Sequence, residues 1–272
     1  MDDILTYAQA RAFLIAVVST QPRILAMFIA IPIFNRQIIP GMLRYAIAAG
    51  LGALVAPRLM PGILAADPSG LQILLFFVKE SFVGFTLGYL IAIPFWAFEA
   101  VGFFVDNQRG ASIAATLNPL TGNDSSPLGI LFNQAFVVFF LISGGFLLMV
   151  EVLYDSFRLW DVLTWSPTFK PETMPLLLDQ LARIVRLGVL FSAPAIVAMF
   201  LAEVGLALIS RFTPQLDVFF LAMPVKSALA MLVLLRYLPT LFHYAGRSIG
   251  ELHNLPSFLQ DQWGSSPGGT AR

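Results

Sequence analysis

The chain contains six long apolar segments, and they constrain its fold more than any other feature of the sequence. The segments cover residues 12 to 34, 45 to 66, 81 to 98, 128 to 150, 187 to 209 and 218 to 242. A helix needs about 20 apolar residues to cross roughly 30 Å of hydrocarbon, and each segment has about this length. Only 12% of the residues are charged, whereas a soluble domain has about 25%. The sequence therefore predicts an all-α membrane protein.

Charged residues and prolines interrupt most of these segments. Only the segments 81 to 98 and 128 to 150 are free of charge. The other four contain these interruptions: Pro22 with Arg23; Arg58 between Pro57 and Pro61; Pro194 and Glu203; and Pro224, Lys226, Arg236 and Pro239. Helices that face lipid on all sides rarely have this composition. We therefore predict broken, proline-kinked helical hairpins that pack in a larger assembly or enclose a polar path.

Six charged residues lie deepest in apolar sequence, and we interpret them as intramembrane or intersubunit polar groups. They are Lys79, Glu80, Glu99, Glu151, Glu203 and Lys226. At about 2.5 to 3.5 kcal/mol each, leaving all of them in lipid would cost on the order of 15 to 20 kcal/mol, which exceeds the stability of most folds. These groups should therefore face protein or water. Snorkelling near a helix end is the alternative, and it applies best to Glu99 and Glu151.

Three of these residues allow more specific expectations. Lys79 and Glu80 are adjacent and so about 100° apart on a helix, which predicts a separate partner for each. Lys226 follows a proline by two residues, and that proline frees the backbone carbonyl four residues before it. The Lys226 ammonium should bond such carbonyls or a carboxylate, with Asp217 and Glu203 as the candidates.

The motifs that enzymes and cofactor sites require are absent. The chain has no cysteine, and its two histidines, His243 and His253, are ten residues apart, which is not a metal-ligand spacing. It has no phosphate-binding loop, no HExxH motif and no Gly-x-Ser-x-Gly elbow. Its 16 basic and 16 acidic residues balance, so charge does not indicate a nucleic-acid partner. We expect no enzymatic activity, no cofactor and no bound metal.

A polar insert, FFVDNQRGASIAATLNPLTGNDSSPLG at residues 103 to 129, interrupts the apolar sequence. In one interpretation, DNQRG caps the helix that begins near residue 71, and Asp106 and Arg109 form a solvated i,i+3 pair. In the other, 106 to 127 is a re-entrant element, which is tolerated at membrane depth only where protein buries it or water surrounds it. Such a loop would line or block a pore. Its candidate residues are Asp106, Asn107, Gln108, Arg109, Gly110, Gly122, Asn123, Asp124, Ser125 and Ser126.

Three segments resemble one family of bacterial proteins. VDNQRGASIAATLNPLTGNDSSPLG is similar to the hallmark segment of the SctT family, the export-apparatus membrane proteins of type III secretion injectisomes, which are related to the flagellar FliR proteins. KESFVGFTLGY, at 79 to 89, is similar to the family's Lys-Glu pair followed by Gly-xxx-Gly. SRFTPQLDVFFLAMPVKSAL, at 210 to 229, resembles the family pattern at Pro214, Gln215, Phe219, Pro224 and Lys226. The resemblance covers about residues 5 to 250, and its DNQRG stretch and Lys226 favour the injectisome branch.

The resemblance implies a core subunit of an export gate in the bacterial inner membrane. SctR and SctS subunits would form the entry portal for secreted proteins with it, and the SctU switch protein and the SctV export gate would be partners on the cytoplasmic side. Residues 1 to 255 would be a single helical domain, with an SctR-like part to about 153 and an SctS-like hairpin from about 176. The loop after the long helix would help to plug the closed channel.

The tail after residue 255 has a different composition, and the chain has alternative functional interpretations. Residues 256 to 272 are rich in Gly, Ser and Pro, which predicts a disordered polar tail. A small-solute transporter or channel is one alternative function, although it should show internal repeats with paired broken helices, and the sequence has no convincing repeat. An assembly scaffold without a pore-lining role is another, and a flagellar FliR-type paralogue is the alternative within the same family.

Overall fold

The computed structural model describes residues 2–35, 38–66, 69–110, 126–164, 173–212 and 218–263. The helices in these ranges are α1 (Asp2–Ala30), α2 (Gly41–Ala66), α3 (Gly70–Arg109), α4 (Pro127–Ile142), α5 (Gly145–Leu159), α6 (Thr173–Phe212), α7 (Val218–Leu252) and α8 (Leu255–Trp263), with a short 3-10 turn at Pro32–Phe34. No strand occurs in the same ranges, so the expected all-α fold is confirmed.

Several helices are long enough and apolar enough to cross a membrane. Five such helices occur in the described part of the chain, within α1, α2, α3, α6 and α7, and α4 with α5 would make a sixth if the pair counts as one span. The helices α3 and α6 have 40 residues each, which corresponds to about 60 Å at 1.5 Å per residue. That is about twice the thickness of the hydrocarbon layer. Part of each helix therefore extends beyond it.

Most prolines of the apolar segments do not end a helix. Pro22, Pro94 and Pro194 lie inside continuous helices, as do the two prolines each of α2 and α7. The charge-free run from 128 to 150, by contrast, is divided between α4 and α5. Gly144 lies there with φ at 78°, in the left-handed region that favours glycine. A glycine in the left-handed conformation, and not a proline, thus separates α4 from α5.

The chain forms two compact units, each built from separate stretches of sequence. The first unit contains Met1–Ala92, Gly144–Leu177 and Gly250–Arg272, and the second contains Ile93–Ser143 and Leu178–Ile249. The expected division into an amino-terminal part ending near 153 and a carboxyl-terminal part beginning near 176 stays a prediction. The helix α3 contributes its first half to one unit and its second half to the other.

Aromatic side chains and one close helix contact hold the second unit together. Phe95 of α3 packs against Phe136 and Phe140 of α4, with ring centroids 4.6 Å and 5.1 Å apart. Gly102 of α3 lies so close to α4 that a Cβ atom there would overlap the backbone of Leu128. The two helices therefore meet at the end that adjoins the polar insert.

The carboxyl-terminal region is helical at residues where its composition predicts disorder. We expected disorder from residue 256, whereas α8 continues to Trp263. The reason is an apolar spacing of four residues within this polar stretch, since Leu255 and Leu259 are both buried. The helix packs against α5 in the first unit. The rest of the expected tail, 264 to 272, lies outside the described residues.

Candidate functional site

The helix α3 ends where the polar insert begins. Residues 106 to 109 form its last turn, and Gly110 follows with φ at 82° while its N–H donates to the Asn107 carbonyl at 3.2 Å. The left-handed conformation suits glycine and stops the helix. DNQRG thus ends a helix, as the first of the two interpretations predicts, and its first four residues are not part of a loop. Asn107 is exposed and Gln108 is half-buried.

Asp106 joins this helix end to the start of α4. Its Oδ2 accepts hydrogen bonds from the Ser126 hydroxyl at 2.6 Å and from the Leu128 N–H at 2.9 Å. Ser126 is the N-cap of α4, and its Oγ accepts from the Gly129 N–H at 2.8 Å. A carboxylate at a helix amino terminus satisfies orphan N–H groups and is favoured by the helix dipole. One side chain therefore fixes both ends of the stretch from 111 to 125.

Arg109 completes this group, which we call the loop clasp: Asp106, Arg109, Ser126 and Ser227. The Arg109 Nε and Nη2 atoms lie 2.7 Å and 2.6 Å from Asp106 Oδ1, and Nη1 donates to the Ser227 hydroxyl of α7 at 3.2 Å. The expected i,i+3 pair is present, but it is not solvated, since the side chains are only 4% and 15% exposed. Charge-assisted bonds of this length, shielded from water, are among the stronger ones in proteins.

Several candidate residues lie outside the described part of the chain. They are Gly122, Asn123, Asp124 and Ser125 of the polar insert, and Pro214, Gln215 and Asp217 before α7. Phe219 and Pro224 are in α7. The plug assignment and the Asp217 partner consequently stay predictions.

Lys226 pairs with a carboxylate of the same unit. Its Nζ lies 3.2 Å from Glu203 Oε2, which is one of the two expected partners. The lysine is 11% exposed and the glutamate 48% exposed, so this pair links α6 to α7 at the surface of the second unit. The positive charge is thus compensated within the chain.

A second carboxylate of this unit has a neutral partner. Glu99 of α3 is exposed, and its Oε2 accepts a hydrogen bond from the Asn133 amide of α4 at 2.5 Å. In the first unit, Glu151 of α5 is also exposed. These two residues are where the alternative of snorkelling was strongest, and neither is buried.

The first unit contains a buried charge cluster that the sequence indicates only in part. The Arg23 guanidinium of α1 binds Glu80 of α3 in a bidentate manner, with Nε to Oε2 at 2.5 Å and Nη2 to Oε1 at 2.9 Å. Both side chains have no exposed surface. Arg23 also donates to the Ser156 hydroxyl at 3.1 Å and to the Trp160 carbonyl at 2.9 Å, and it lies 4.2 Å from the centroid of the Phe157 ring. The cluster therefore joins α1, α3 and α5.

Lys79 belongs to the same cluster. Lys79 and Glu80 each have a partner of their own, as expected, but they also contact one another. The Lys79 Nζ lies 2.9 Å from Glu80 Oε1, because the flexible lysine side chain reaches back to its neighbour's carboxylate. It also donates to three backbone carbonyls just beyond the carboxyl end of α5, those of Asp161 (3.0 Å), Val162 (2.9 Å) and Thr164 (2.7 Å). An ammonium group is a donor only, so these carbonyls and the carboxylate supply the acceptors that it needs where little water reaches it.

Two glycines of α3 explain how α1 comes so near to this cluster. A Cβ atom at Gly84 would overlap the Arg23 carbonyl, and one at Gly88 would lie 2.6 Å from the Met27 carbonyl. Small residues four apart allow two helix backbones to approach closely. The Lys-Glu pair and the Gly-xxx-Gly motif that follows it therefore serve one contact, the crossing of α1 and α3.

The sequence of these elements matches a known family of transport proteins. Residues 14–252 fit the family described as bacterial export proteins, family 1. The chain belongs to this family. The match includes the loop clasp, the Lys226 pair and the buried charge cluster, and it ends before α8.

Individual members of the export-protein family resemble the chain over most of their length. The Yop proteins translocation protein T of Yersinia pestis is 38% identical over 84% of this chain and 87% of its own. The surface presentation of antigens protein SpaR of Salmonella typhimurium is 32% identical over 79% and 80%. The flagellar biosynthetic protein FliR of Bacillus subtilis is 28% identical over 81% and 85%. The expected relationship to the SctT and FliR proteins is confirmed.

Membership in the export-protein family and the apolar helices together settle the location. The chain is a multi-pass protein of the bacterial inner membrane. In the part that the structure describes, no three His, Asp or Glu side chains are grouped as metal ligands. The polar clusters of this export protein join helices to one another, and their chemistry is that of ion pairs and helix caps.

The contribution of Arg23 was missed from the sequence. From the sequence, Arg23 with Pro22 reads as an interruption of the first apolar segment and is not one of the six deepest charges. The available signal was the same one that identified the other six: a charged residue within an apolar run. A single cation in a segment that lacks an acidic residue requires a partner on another helix.

Proposed function

We propose that the chain is an export-apparatus subunit of a type III protein secretion system of the injectisome kind. The relatives named for Yop translocation, for surface presentation of antigens and for a secretion system apparatus support this assignment. The flagellar relative from Bacillus subtilis is less similar, at 28% identity against 38% for the Yersinia pestis protein. SctR and SctS subunits complete the entry portal for secreted proteins, and SctU and SctV are partners on the cytoplasmic side.

The stretch from 111 to 125 is the plug of this portal in our proposal. The loop clasp carries the idea, because Asp106 holds the end of α3 and the start of α4 together independently of the residues between them. A plug must be displaced by each passing substrate and must return to the same place. A connection whose two ends are tied to one buried carboxylate meets that requirement, since its movement does not separate the helices.

The composition of the stretch suits the same task. A portal wide enough for an unfolded chain leaks ions if it stays open, so it needs an element that seals when the portal is idle. Gly122, Asn123, Asp124 and Ser125 are turn-forming and tolerate water. They offer few apolar anchors that would resist displacement.

Deletion of residues 121 to 125 tests the plug. The deletion must stop before Ser126, because Ser126 caps α4 and bonds to Asp106. We expect the shortened protein to insert and to assemble with SctR- and SctS-like partners at the parental yield. The purified complex should show higher ion conductance in planar lipid bilayers, and cells should become sensitive to a normally excluded solute.

Two matched controls accompany this experiment. Replacing 121 to 125 by five Gly and Ser residues separates the effect of length from that of sequence, and deleting 264 to 268 removes five residues elsewhere. Neither the parent nor the tail deletion should leak. If the loop deletion assembles normally and conducts no more than the parent, the stretch is only a connector between helices.

Assembly is tested separately from plugging. The chain, purified from membranes in mild detergent, should bring SctR- and SctS-like proteins with it. A small-solute transporter would purify without them. That result would overturn the export-gate assignment whatever the conductance of the deletion.

A further inference from the structure

Glu99 is an exposed carboxylate on a largely apolar helix surface, and its internal partner does not neutralise it. The only bond that the described residues give it is the 2.5 Å hydrogen bond from the Asn133 amide. The neighbouring exposed side chains one turn away are apolar, namely Phe103 on α3 and Ile130 on α4. An amide can donate one hydrogen bond to the carboxylate, but it leaves the negative charge in place.

The position of this pair is fixed by the packing of α3 and α4. The backbone contact between Gly102 and Leu128 lies one turn away, and the Asp106 bonds to Ser126 and Leu128 lie two turns away. These contacts place the carboxylate beside the seam between α3 and α4, on its exposed side. Two other carboxylates of this unit differ from Glu99, because Asp106 and Glu203 already have the cations Arg109 and Lys226.

We infer that the surface around Glu99 and Asn133 receives a Lys or Arg side chain from another subunit of the export apparatus. This inference rests on the proposed assembly, and it adds the chemistry of the partner at one place. An apolar surface with a central carboxylate is complementary to an apolar helix that carries one cation. When the two surfaces come together and lose water, the carboxylate and the cation form an ion pair. Asn133 orients the carboxylate, and the partner supplies the charge.

Two substitutions separate the charge of Glu99 from its hydrogen bond. Glu99→Gln keeps an oxygen that accepts from Asn133 and removes the charge, whereas Asn133→Ala removes the bond and keeps the charge. We expect Glu99→Gln to weaken retention of the chain in the purified complex by about tenfold, and Glu99→Lys to abolish it. Asn133→Ala should have a smaller effect than Glu99→Gln. Parental retention by Glu99→Gln, or an equal loss in Asn133→Ala, would assign Glu99 to the contact between α3 and α4 alone.

A chemical probe tests the parental protein, so that the inference does not depend on how the variants fold. Dicyclohexylcarbodiimide is an apolar reagent that modifies carboxyl groups accessible from an apolar phase, and the adduct is located by mass spectrometry. Glu99 should be modified in the chain produced without its partners and protected in the complex. Glu203, which has its cation in the same chain, serves as the reference and should not change. Modification of Glu99 in the complex would overturn the inference.

The probe also distinguishes a protein partner from lipid. The full chain alone is reconstituted in vesicles of phosphatidylethanolamine, whose headgroup carries an amine, and in vesicles of phosphatidylcholine. Modification of Glu99 in both kinds of vesicle supports a cation from a protein partner. If Glu99 is protected only in phosphatidylethanolamine, the cation comes from the lipid. If Glu99 is protected in both kinds of vesicle, the cation comes from this chain, and either kind of protection would overturn the inference. Failure of the export-gate assignment would show as absence of the partners, which is measured before labelling.

Discussion

Removing the carboxylate of the buried charge cluster should destabilise the first unit strongly. In Glu80→Ala, Arg23 loses both of its bonds to the carboxylate while its side chain stays without solvent contact. Breaking a buried ion pair by removing one partner costs about 3 to 5 kcal/mol. Arg23 keeps the Ser156 hydroxyl, the Trp160 carbonyl and a nearby aromatic ring. We therefore expect the lower end, about 3 kcal/mol, which is roughly a hundredfold in the unfolding equilibrium.

The measurement is thermal unfolding of the purified chain in detergent, followed by tryptophan fluorescence. Trp160 is 1% exposed and adjoins the cluster, so its emission should report the loss of this packing. A loss of about 3 kcal/mol corresponds to a melting temperature lower by about 6 to 12 °C. Asp155→Ala is the control, because Asp155 pairs with Arg158 at the surface at 3.3 Å. That change should cost no more than about 0.5 kcal/mol.

A double variant tests the cause of the loss. Replacing both partners by apolar residues, as in Arg23→Met with Glu80→Leu, leaves no unpaired charge in the pair and should cost much less than the sum of the two single changes. If the double variant is as unstable as that sum, the damage comes from lost volume and not from a stranded cation. If Glu80→Ala melts at the parental temperature, Arg23 has another compensating group and the reasoning fails.

Three further outcomes follow from the other contacts. Asp106→Ala should lower the free energy of unfolding by about 2 to 3 kcal/mol, because it removes an ion pair and a helix cap together; Asp106→Asn should cost less, and equal melting of parent and Ala variant would contradict the role of the clasp. Lys226→Met should reduce secretion or recovery of the complex more than Lys226→Arg does, since of the two only the arginine can still pair with Glu203. If the Met variant secretes at the parental rate, Lys226 is only a snorkelling residue. Gly84→Leu should prevent the close crossing of α1 and α3, whereas Gly50→Leu, which meets no atom within 4 Å, should melt near the parental temperature; the reverse order would place the close contact elsewhere.

The sequence predicts the helices of this chain better than it predicts their contacts. Apolar run length determines where a helix can lie in a membrane, and this rule located the long helix that begins at Gly70. The rule predicted one helix where α4 and α5 are separated at residues 143 and 144. It counts apolar residues and does not take account of a glycine in the left-handed conformation. Seven prolines among the described residues, by contrast, lie inside continuous helices. Without water to accept hydrogen bonds, a membrane helix stays helical around a proline, since breaking it would leave more groups unsatisfied.

Partner identity was the least predictable part of the candidate site. The argument from burial cost showed correctly that Glu80 and Lys226 need compensation, since that cost depends only on the residue and its surroundings. It could not name Arg23 as the partner of Glu80, because the two residues are 57 positions apart and meet only through the crossing at Gly84. Asp106 shows the same limit. Its i,i+3 pair is local and was foreseen, but its bonds to α4 depend on how α3 and α4 pack.

The arrangement at Asp106 has a consequence for how this protein can vary. The free energy of folding normally depends on the length of the chain that connects two helix ends. Here a buried carboxylate also holds the two ends together. Doubling the number of residues between Gly110 and Ser126 should then cost only about 0.6 kcal/mol in chain entropy. Chain entropy alone therefore sets only a weak limit on how long this connection can be. The length of this connection can therefore vary among related chains while the clasp keeps the end of α3 beside the start of α4.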